Sequence, residues 1–235
     1  MTGPTQHAHV PVLASWDETA AFRSVRLELP PALAAAHVLP GQIVKIRSDV
    51  GEGFFALASA PAPSGNVELL VKRGGKVADA IVARAQPGAL LETTPPFGSG
   101  FPIHEAEGRD VLLFAAGSAI GPIRALVQHL VSLRDRFGRV TLFYGQRHGA
   151  EFAYRGEHLG WERRGVRVVL CPSGADDAWP GVRGRVQQVA ASVAFGGAPP
   201  GEAVAFVSGM TGMVDDVRRT LASAGIPPER VHANF

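Results

Sequence analysis

The sequence predicts two architectures in succession, a six-stranded antiparallel β-barrel and then an α/β unit built on a doubly wound parallel sheet. Up to about residue 105, proline and glycine separate short runs in which apolar and polar residues alternate. From residue 109 onward, continuous apolar runs alternate with amphipathic stretches. The first pattern is typical of an antiparallel barrel, and the second indicates strands that alternate with helices.

The first half contains the predicted barrel strands. Residues 22–29 alternate apolar and polar side chains, as a half-buried strand does, and residues 42–47 repeat the pattern after the turn Pro40-Gly41. Further strands are predicted at 54–59, 67–72 and 90–94, and one short helix at 77–84.

The second half has the periodicity of a parallel sheet. Residues 111–115 are continuously apolar, which is expected of a strand buried on both faces. The remaining predicted strands lie at 140–144, 166–170 and 203–207, and the predicted helices at 122–136 and 213–224. The loop 102–108 separates the halves, so we expect one domain at 1–105 and a second at 106–235.

Composition excludes several classes of protein. The formal net charge is +2, which does not predict nucleic-acid binding, and the single cysteine cannot anchor zinc or an iron–sulfur cluster. The eight histidines are scattered, and no Gly-x-Ser-x-Gly elbow predicts a hydrolase. We find neither a signal peptide nor a membrane span, so we expect a cytoplasmic protein.

Three glycine-containing turns follow predicted strands of the second half, at residues 116–122, 144–147 and 208–213. Ligands of open parallel sheets bind beyond the carboxyl ends of the strands, so these turns are expected to share one crevice. Glycines there let backbone amides approach a pyrophosphate, and Arg147 suits a phosphate or ribose. Each turn alone is also compatible with an ordinary strand–helix connection.

The order of these motifs resembles the ferredoxin–NADP reductase superfamily along nearly the whole chain. The matching segments are 40–42, 54–61, 71–78, 96–98, 116–122, 144–147 and 208–213. Within the superfamily, the chain looks most like the group that includes fruit protein pKIWI502. Residues 54–59, residues 98–101 and the terminal Asn234-Phe235 support that likeness.

The resemblance implies FAD on the barrel and NADP or NAD on the second domain, with hydride passing between them. The residues it implies along the flavin and around its pyrophosphate are Phe55, Ala56, Leu57, Ala58, Ser59, Lys72, Gly75, Lys76, Val77 and Ala78. Those it implies around the pyridine nucleotide are Gly117, Ser118, Arg147, Gly209, Met210 and Met213. It also implies catalytic roles for Ser208, beside the nicotinamide, and for Phe235, which would stack near the flavin.

Three positions depart from the family pattern. Gly53-Phe54-Phe55-Ala56 stands where the family has Arg-x-Tyr-Ser or Thr, and Ala78 stands where it has Ser or Thr. A charge-assisted phosphate bond is worth roughly 1.5–3 kcal/mol, so the missing arginine predicts weaker FAD binding unless Lys72 or Lys76 compensates. Ser208 replaces the usual cysteine of a Cys-Gly-Pro motif.

The leading hypothesis is a flavin-dependent NAD(P)H oxidoreductase that passes electrons to a protein or a small molecule. The alternative is a nucleotide- or flavin-binding regulatory module that keeps the fold without catalysis. A third hypothesis is an enzyme that uses free FMN or FAD as a substrate. Arg147, Arg155, Arg183 and Arg185 are candidates for a 2′-phosphate, and the choice between NADH and NADPH stays open.

Overall fold

The computed structural model of the chain describes residues 6–174, 179–197 and 200–234. Over these residues the chain forms a six-stranded antiparallel sheet followed by a five-stranded parallel sheet. The predicted fold class is therefore confirmed. In the part of the chain that the structure describes, no helix combines the length and the apolar character needed to cross a membrane.

The first sheet curls into a barrel. Its strands are β1 (Ala8–Asp17), β2 (Phe22–Glu28), β3 (Ile43–Ser48), β4 (Gly51–Ala56), β5 (Asn66–Lys72) and β6 (Leu90–Thr93), in the order β4-β3-β6-β1-β2-β5. A bridge between Leu57 and Leu69 joins the end of β4 to β5, so the two edges of the sheet meet. Closure leaves alternate side chains inside, where Val25, Ile46 and Leu69 are fully buried.

Two helices accompany the barrel, α1 (Pro31–Ala34) and α2 (Lys76–Arg84). Helix α2 follows the Gly74-Gly75 turn and places Ile81, which is fully buried, in the barrel core. It ends at Arg84, three residues before Pro87, which cannot continue a helix. The predicted helix at 77–84 therefore exists and begins one residue earlier.

Strand β1 is the barrel strand that we did not locate from the sequence. Pro11 interrupts its pattern, and the pairing of β1 with β2 shifts between Val12 and Ala14. An irregularity of this kind turns side chains to the other face, which removes the strict alternation that identifies a strand.

The parallel sheet consists of β7 (Val111–Ala116), β8 (Val140–Gln146), β9 (Val166–Pro172), β10 (Val204–Ser208) and β11 (Val231–Ala233), in the order β11-β10-β7-β8-β9. Its helices are α3 (Ile120–Ser132), α4 (Arg155–Arg163), α5 (Val186–Ser192) and α6 (Thr211–Ser223). After β9 the chain returns to the other side of β7, so the strand order reverses between β7 and β10. Ligands of open sheets bind at such a reversal.

Sequence patterns did not identify α4, α5 or β11. Gly156 and Gly160 lower the helix propensity of α4. Helix α5 has only seven residues, and β11 has only three. Elements this short carry too little periodicity to be recognised, and packing against the sheet stabilises them instead.

The barrel and the parallel sheet share one hydrophobic core. Phe22, Ala58 and Leu70 of the barrel belong to the same buried cluster as Leu113 and Phe206 of the sheet. A second cluster fills the opposite face of the sheet, under α5 and α6. Helices thus cover both faces, as in a doubly wound fold.

Candidate functional site

Two adjoining cavities lie at the carboxyl ends of the parallel strands. The interface cavity, of about 380 Å³, separates the barrel from the strand ends and is lined by Phe54, Phe55, Ala56, Leu70, Lys72, Ala116, Ser118, Ala119, Gly121, Pro122, Ser208, Gly209 and Met210. The strand-end cavity, of about 710 Å³, lies beyond β8, β9 and β10. Ala116 and Met210 line both, so a single ligand or two touching ligands could occupy the pair.

The barrel wall of the interface cavity is aromatic. Phe54 is 59% exposed and meets Phe97 edge to face, with 6.2 Å between ring centroids. Phe55 is half-buried, and its ring lies against Gly53, where an added Cβ would be 3.0 Å from the ring. Among the described residues, Lys72 is the only charged one that lines this cavity. Such a wall suits a flat, apolar ring system with a nearby anionic or polar edge.

The opposite wall comes from the turn between β7 and α3. Gly117 has a φ of +61°, which only glycine adopts without strain. Gly121, in the first turn of α3, packs so closely that an added Cβ would lie 3.3 Å from the Cβ of Ala58. Small residues therefore let the start of α3 approach the barrel strand and any ligand between them.

Ser208 ends β10 and lines the interface cavity. The residue is 2% exposed, and its Oγ has no hydrogen-bond partner among the described residues. A buried hydroxyl left unpaired costs about 1–3 kcal/mol. We therefore expect the Ser208 hydroxyl to bond a polar atom of a ligand, which fits both a flavin ring and a nicotinamide.

The strand-end cavity contains charges of both signs. Asp216 on α6 pairs with Arg219, lies 3.8 Å from Arg185, and accepts a hydrogen bond of 3.0 Å from Gln187. Arg147, at the end of β8, is exposed and has no acidic partner within the described ranges. This leaves Arg147 as the guanidinium most available to a ligand phosphate.

Most residues predicted to contact ligands line one of the two cavities. The interface cavity brings together Phe55, Ala56, Lys72, Ser118, Ser208, Gly209 and Met210. The strand-end cavity brings together Gly117, Arg147, Met210 and Met213. Phe235 lies outside the described residues.

Three predicted residues are turned away from the cavities. Leu57 and Ala58 are fully buried, and their amide N–H groups already donate to the carbonyls of Gln42 and Glu68, at 2.9 and 2.7 Å. The Ser59 hydroxyl accepts a hydrogen bond of 2.9 Å from the Glu68 amide. These amide hydrogens are therefore used in bonds within the barrel, that of Leu57 beside β3 and that of Ala58 to β5, and the cofactor contacts expected of both residues stay a prediction.

Apart from Lys72, which lines the interface cavity, the residues predicted around the pyrophosphate surround the start of α2 and line neither cavity. Gly75 caps the helix without a side-chain hydrogen bond, and Lys76 is exposed. Val77 and Ala78 pack partly against the barrel core. The Asp79 carboxylate accepts a hydrogen bond of 2.9 Å from the Gly74 amide, which places a negative charge beside this helix start.

The structure adds residues that the sequence did not identify. Gln187 on α5, and Asp215, Asp216 and Arg219 on α6, line the strand-end cavity. Helix α5 was not predicted from the sequence, so Gln187 in its first turn could not be assigned to the cavity. For α6, the sequence does contain a signal that could have identified these residues, namely the adjacent Asp215 and Asp216 just after the glycine-containing turn at 208–213.

Cys171 also lines the strand-end cavity but is fully buried. Burial raises the pKa of its thiol to about 12, so the sulfur stays protonated and is a poor nucleophile. Within the described ranges, no group of three or more His, Cys, Asp or Glu residues could hold a metal ion.

Comparisons with known proteins agree with this geometry. Residues 113–219 match the Oxidoreductase NAD-binding domain family. The chain is 31% identical to the sulfhydrogenase 1 subunit gamma of Pyrococcus furiosus over 222 residues, which are 92% of this chain and 74% of that protein. It is 27% identical over 203 residues to the ferredoxin–NAD(P)(+) reductase CarAd of Metapseudomonas resinovorans, covering 84% of this chain and 60% of that reductase.

The fold also resembles solved structures. A ferredoxin NADP+ reductase from Neisseria gonorrhoeae, with bound FAD and NADP, superimposes with a TM-score of 0.81 at 17% identity, covering 99% of this chain and all of that one. At this identity the likeness concerns the fold. The chain spans about three quarters of the Pyrococcus subunit and less than two thirds of CarAd.

Proposed function

The chain belongs to the ferredoxin reductase-like family of FAD- and NAD(P)-binding oxidoreductases, and on that basis we propose that it moves hydride from NADH or NADPH to FAD and passes the electrons to an acceptor. One observation supports this above all others. The interface cavity and the strand-end cavity meet at Ala116 and Met210, so a ligand on the barrel wall and a ligand on the strand ends would touch there.

We assign the barrel wall to the flavin. Bound there, FAD would supply the capacity to accept a hydride and to release electrons singly or in pairs. Phe55 and Ala56 would hold one face of the ring, and Lys72 would attract the phosphates of the cofactor. Both the aromatic wall and the free hydroxyl of Ser208 fit such a group.

We assign the pyrophosphate of FAD to the start of α2, near Gly75, Lys76, Val77 and Ala78. The backbone amides of the first helical turn are natural partners of phosphate. Gly53 offers no guanidinium, and Asp79 adds a negative charge beside the turn. Loss of one charge-assisted bond, worth roughly 1.5–3 kcal/mol, would weaken binding about tenfold to a hundredfold, so we propose that FAD exchanges with solvent more readily than in relatives that have the arginine.

We assign the pyridine nucleotide to the strand ends. Gly117 and Ser118 lie in the short turn before α3, and Gly209, Met210 and Met213 surround the start of α6. The first backbone amides of a helix have no partner within the helix and suit a phosphate. Arg147 would bind a phosphate or the ribose. The Ser208 hydroxyl, beside the nicotinamide, would donate or accept a hydrogen bond and so orient the ring for transfer.

The single cysteine of this sequence cannot anchor an iron–sulfur cluster. The electrons would therefore pass from the flavin to an acceptor outside this sequence. We propose an electron-acceptor protein or a small molecule as the recipient. Relatives named as a ferredoxin–NAD(P)(+) reductase and as a sulfhydrogenase subunit support a protein acceptor. The same names do not favour the alternative of a regulatory module without catalysis.

Three finer assignments belong to the proposal. We assign FAD binding to a domain at 1–105 and NAD(P) binding to a domain at 106–235. We propose that Phe235 stacks near the flavin. We also place the chain near the fruit protein pKIWI502-like group, on residues 54–59, 98–101 and 234–235.

The test is reconstitution. We would purify the chain, add FAD, remove the excess and record the visible spectrum before and after anaerobic addition of NADH or NADPH. The proposal expects flavin absorption near ~450 nm that either coenzyme bleaches. A chain that binds FAD and keeps its colour with both coenzymes would refute hydride transfer.

A further inference from the structure

A buried arginine on α3, Arg124, joins the barrel to the parallel-sheet half behind the interface cavity. Its side chain is only 7% exposed. Its Nη1 donates to the carbonyl of Ala58 at 2.7 Å and to Oε2 of Glu68 at 2.8 Å. Both acceptors belong to the barrel, so one guanidinium nitrogen holds two points of that half.

The other edge of the guanidinium is held by the parallel-sheet half. Nε and Nη2 donate to the Glu157 carboxylate on α4, at 2.9 and 2.7 Å. The guanidinium carbon also lies 4.5 Å from the centroid of the Tyr154 ring. The fork of an arginine can satisfy these partners together, whereas the single ammonium of a lysine cannot. The orientation of Arg124 is therefore fixed from both sides.

The bonds of Arg124 to the barrel lie about one helical turn from the two walls of the interface cavity. Ala58 follows Ala56, which lines the barrel wall, by two residues, and Arg124 follows Gly121, which lines the opposite wall, by three. Gly121 itself packs against Ala58. The bond between Arg124 and Ala58 thus clamps the start of α3 to the strand that carries the barrel wall.

A second charged contact joins the two halves, because the half-buried Glu18 carboxylate of the barrel accepts a hydrogen bond of 3.0 Å from the Tyr154 amide. One turn further along α3, the Gln128 side chain accepts a hydrogen bond of 2.9 Å from the Ala60 amide. That neutral bond supports the same alignment. A charge-assisted bond is shorter and about twice as strong as a neutral one, so at the start of α3 the bonds of Arg124 contribute more to the alignment than the bond of Gln128 does.

We propose that Arg124 is a positioning residue, which sets the separation between the barrel wall and the start of α3 and therefore the distance over which hydride passes. The inference rests on the proposed function, because it concerns the spacing of the two rings in that reaction. A displacement of about 1 Å in a reacting geometry can cost about a hundredfold in rate. Arg124 touches neither cavity and acts through Ala58 and Gly121.

The experiment compares R124Q, R124K and E157Q with the wild-type chain, each loaded with FAD. E157Q is the matched control, because it removes the charge of the partner on the same half, while its amide oxygen can still accept from Arg124 and the bonds to Ala58 and Glu68 remain. We would measure the anaerobic rate of flavin bleaching at saturating coenzyme, the Kd of FAD and of coenzyme, and the long-wavelength charge-transfer absorption of stacked flavin and nicotinamide.

If Arg124 is a positioning residue, its substitution should lower the rate of flavin bleaching and leave the Kd of FAD and of coenzyme nearly unchanged. In R124Q the bleaching rate should fall about tenfold to a hundredfold and the charge-transfer absorption should weaken, while both Kd values stay within about threefold. R124K should recover part of the rate, because its ammonium can still reach Ala58 or Glu68. E157Q should keep the rate within about threefold.

Two results would overturn the inference. If R124Q bleaches at the wild-type rate, or loses rate only in proportion to lost FAD, the role of Arg124 is structural and the proposed function stands. If the wild-type chain itself transfers no hydride, the proposed function and the positioning role both fall. Should R124Q fail to fold, R124K and E68Q decide, since both keep a polar side chain and both weaken the bond between Arg124 and Glu68. E68Q also weakens the bond between Glu68 and Arg26 within the barrel, so R26Q is its control.

Discussion

Ser208, the last residue of β10, pairs with Ala115 of β7, next to the Ala116-Gly117 turn. This register places the unpaired Ser208 hydroxyl at the point where the strand order reverses. Of the polar side chains that line the interface cavity, it is the one that is both buried and without a partner within the described ranges. We therefore regard Ser208 as the hydroxyl that orients the reacting ring.

Replacing Ser208 tests this role. In S208A the rate of flavin bleaching at saturating coenzyme should fall about twofold to tenfold, since one hydrogen bond contributes about 0.5–1.5 kcal/mol. The Kd of the coenzyme should change little, and S208C should retain a rate near that of the wild type. An S208A chain that bleaches as fast as the wild type would show that the hydroxyl has no part in the reaction.

Lys72 and Lys76 are expected to attract the FAD phosphates as exposed point charges. In the K72A/K76A variant, the Kd of FAD should rise about twofold to fivefold, because an exposed charge pair contributes roughly 0.2–1 kcal/mol. The Kd of riboflavin, which has no phosphate, should stay unchanged. Fluorescence titration measures both constants. K45A is the control, since Lys45 pairs with Glu52 on the barrel. Equal weakening of riboflavin would mean that the lysines contact the ring instead.

Arg147 is expected to bind the coenzyme and not the flavin. R147A should raise the Kd of the coenzyme about tenfold, since a hydrogen bond to a charged group is worth roughly 1.5–3 kcal/mol before exposure reduces it. A larger effect on NADPH than on NADH would assign Arg147 to the 2′-phosphate. R155A serves as the control, because Arg155 is exposed and lines neither cavity. If R147A binds both coenzymes like the wild type, the assignment is wrong.

Acid should destabilise the fold through a buried histidine. His158 packs against Trp161 with ring centroids 5.1 Å apart, and burial lowers its pKa from 6.5 to about 4. The unfolded chain therefore binds more protons between pH 6.5 and 4, so the free energy of unfolding should decrease as pH falls through that window. Denaturant titrations at several pH values should show a smaller decrease for H158Q. An identical decrease in H158Q would exclude His158 as a source.

Features that depend on neighbouring residues could be predicted from the sequence, whereas contacts between residues far apart in the chain could not. The turn containing Gly117 and Ser118, and the turn from Ser208 to Met213, were predicted because short apolar strands and glycines identify them locally. Arg124 was not, because its bonds to Ala58 and Glu68 span 66 and 56 residues. Such contacts arise only once the barrel packs against α3.

The same reasoning explains why the burial of Leu57 and Ala58 was not predicted. The segment that contains them matches a flavin strand in sequence, but in the barrel the Leu57 amide bonds Gln42 beside β3 and the Ala58 amide bonds Glu68 of β5. Closure depends on how β4 meets β5, which no local pattern contains. Helix α5, which contributes Gln187 to the strand-end cavity, was missed because of its length.

The central claim is that hydride passes directly between the two cavities where they meet at Ala116 and Met210. The most direct test mixes the FAD-loaded chain with coenzyme deuterated at the transferring carbon, without oxygen, and follows flavin bleaching in a single turnover. The account predicts that deuterium slows the bleaching and appears in the reduced flavin before it exchanges with solvent. Bleaching that does not occur, or that proceeds at the same rate with either isotope at every coenzyme concentration, would contradict it.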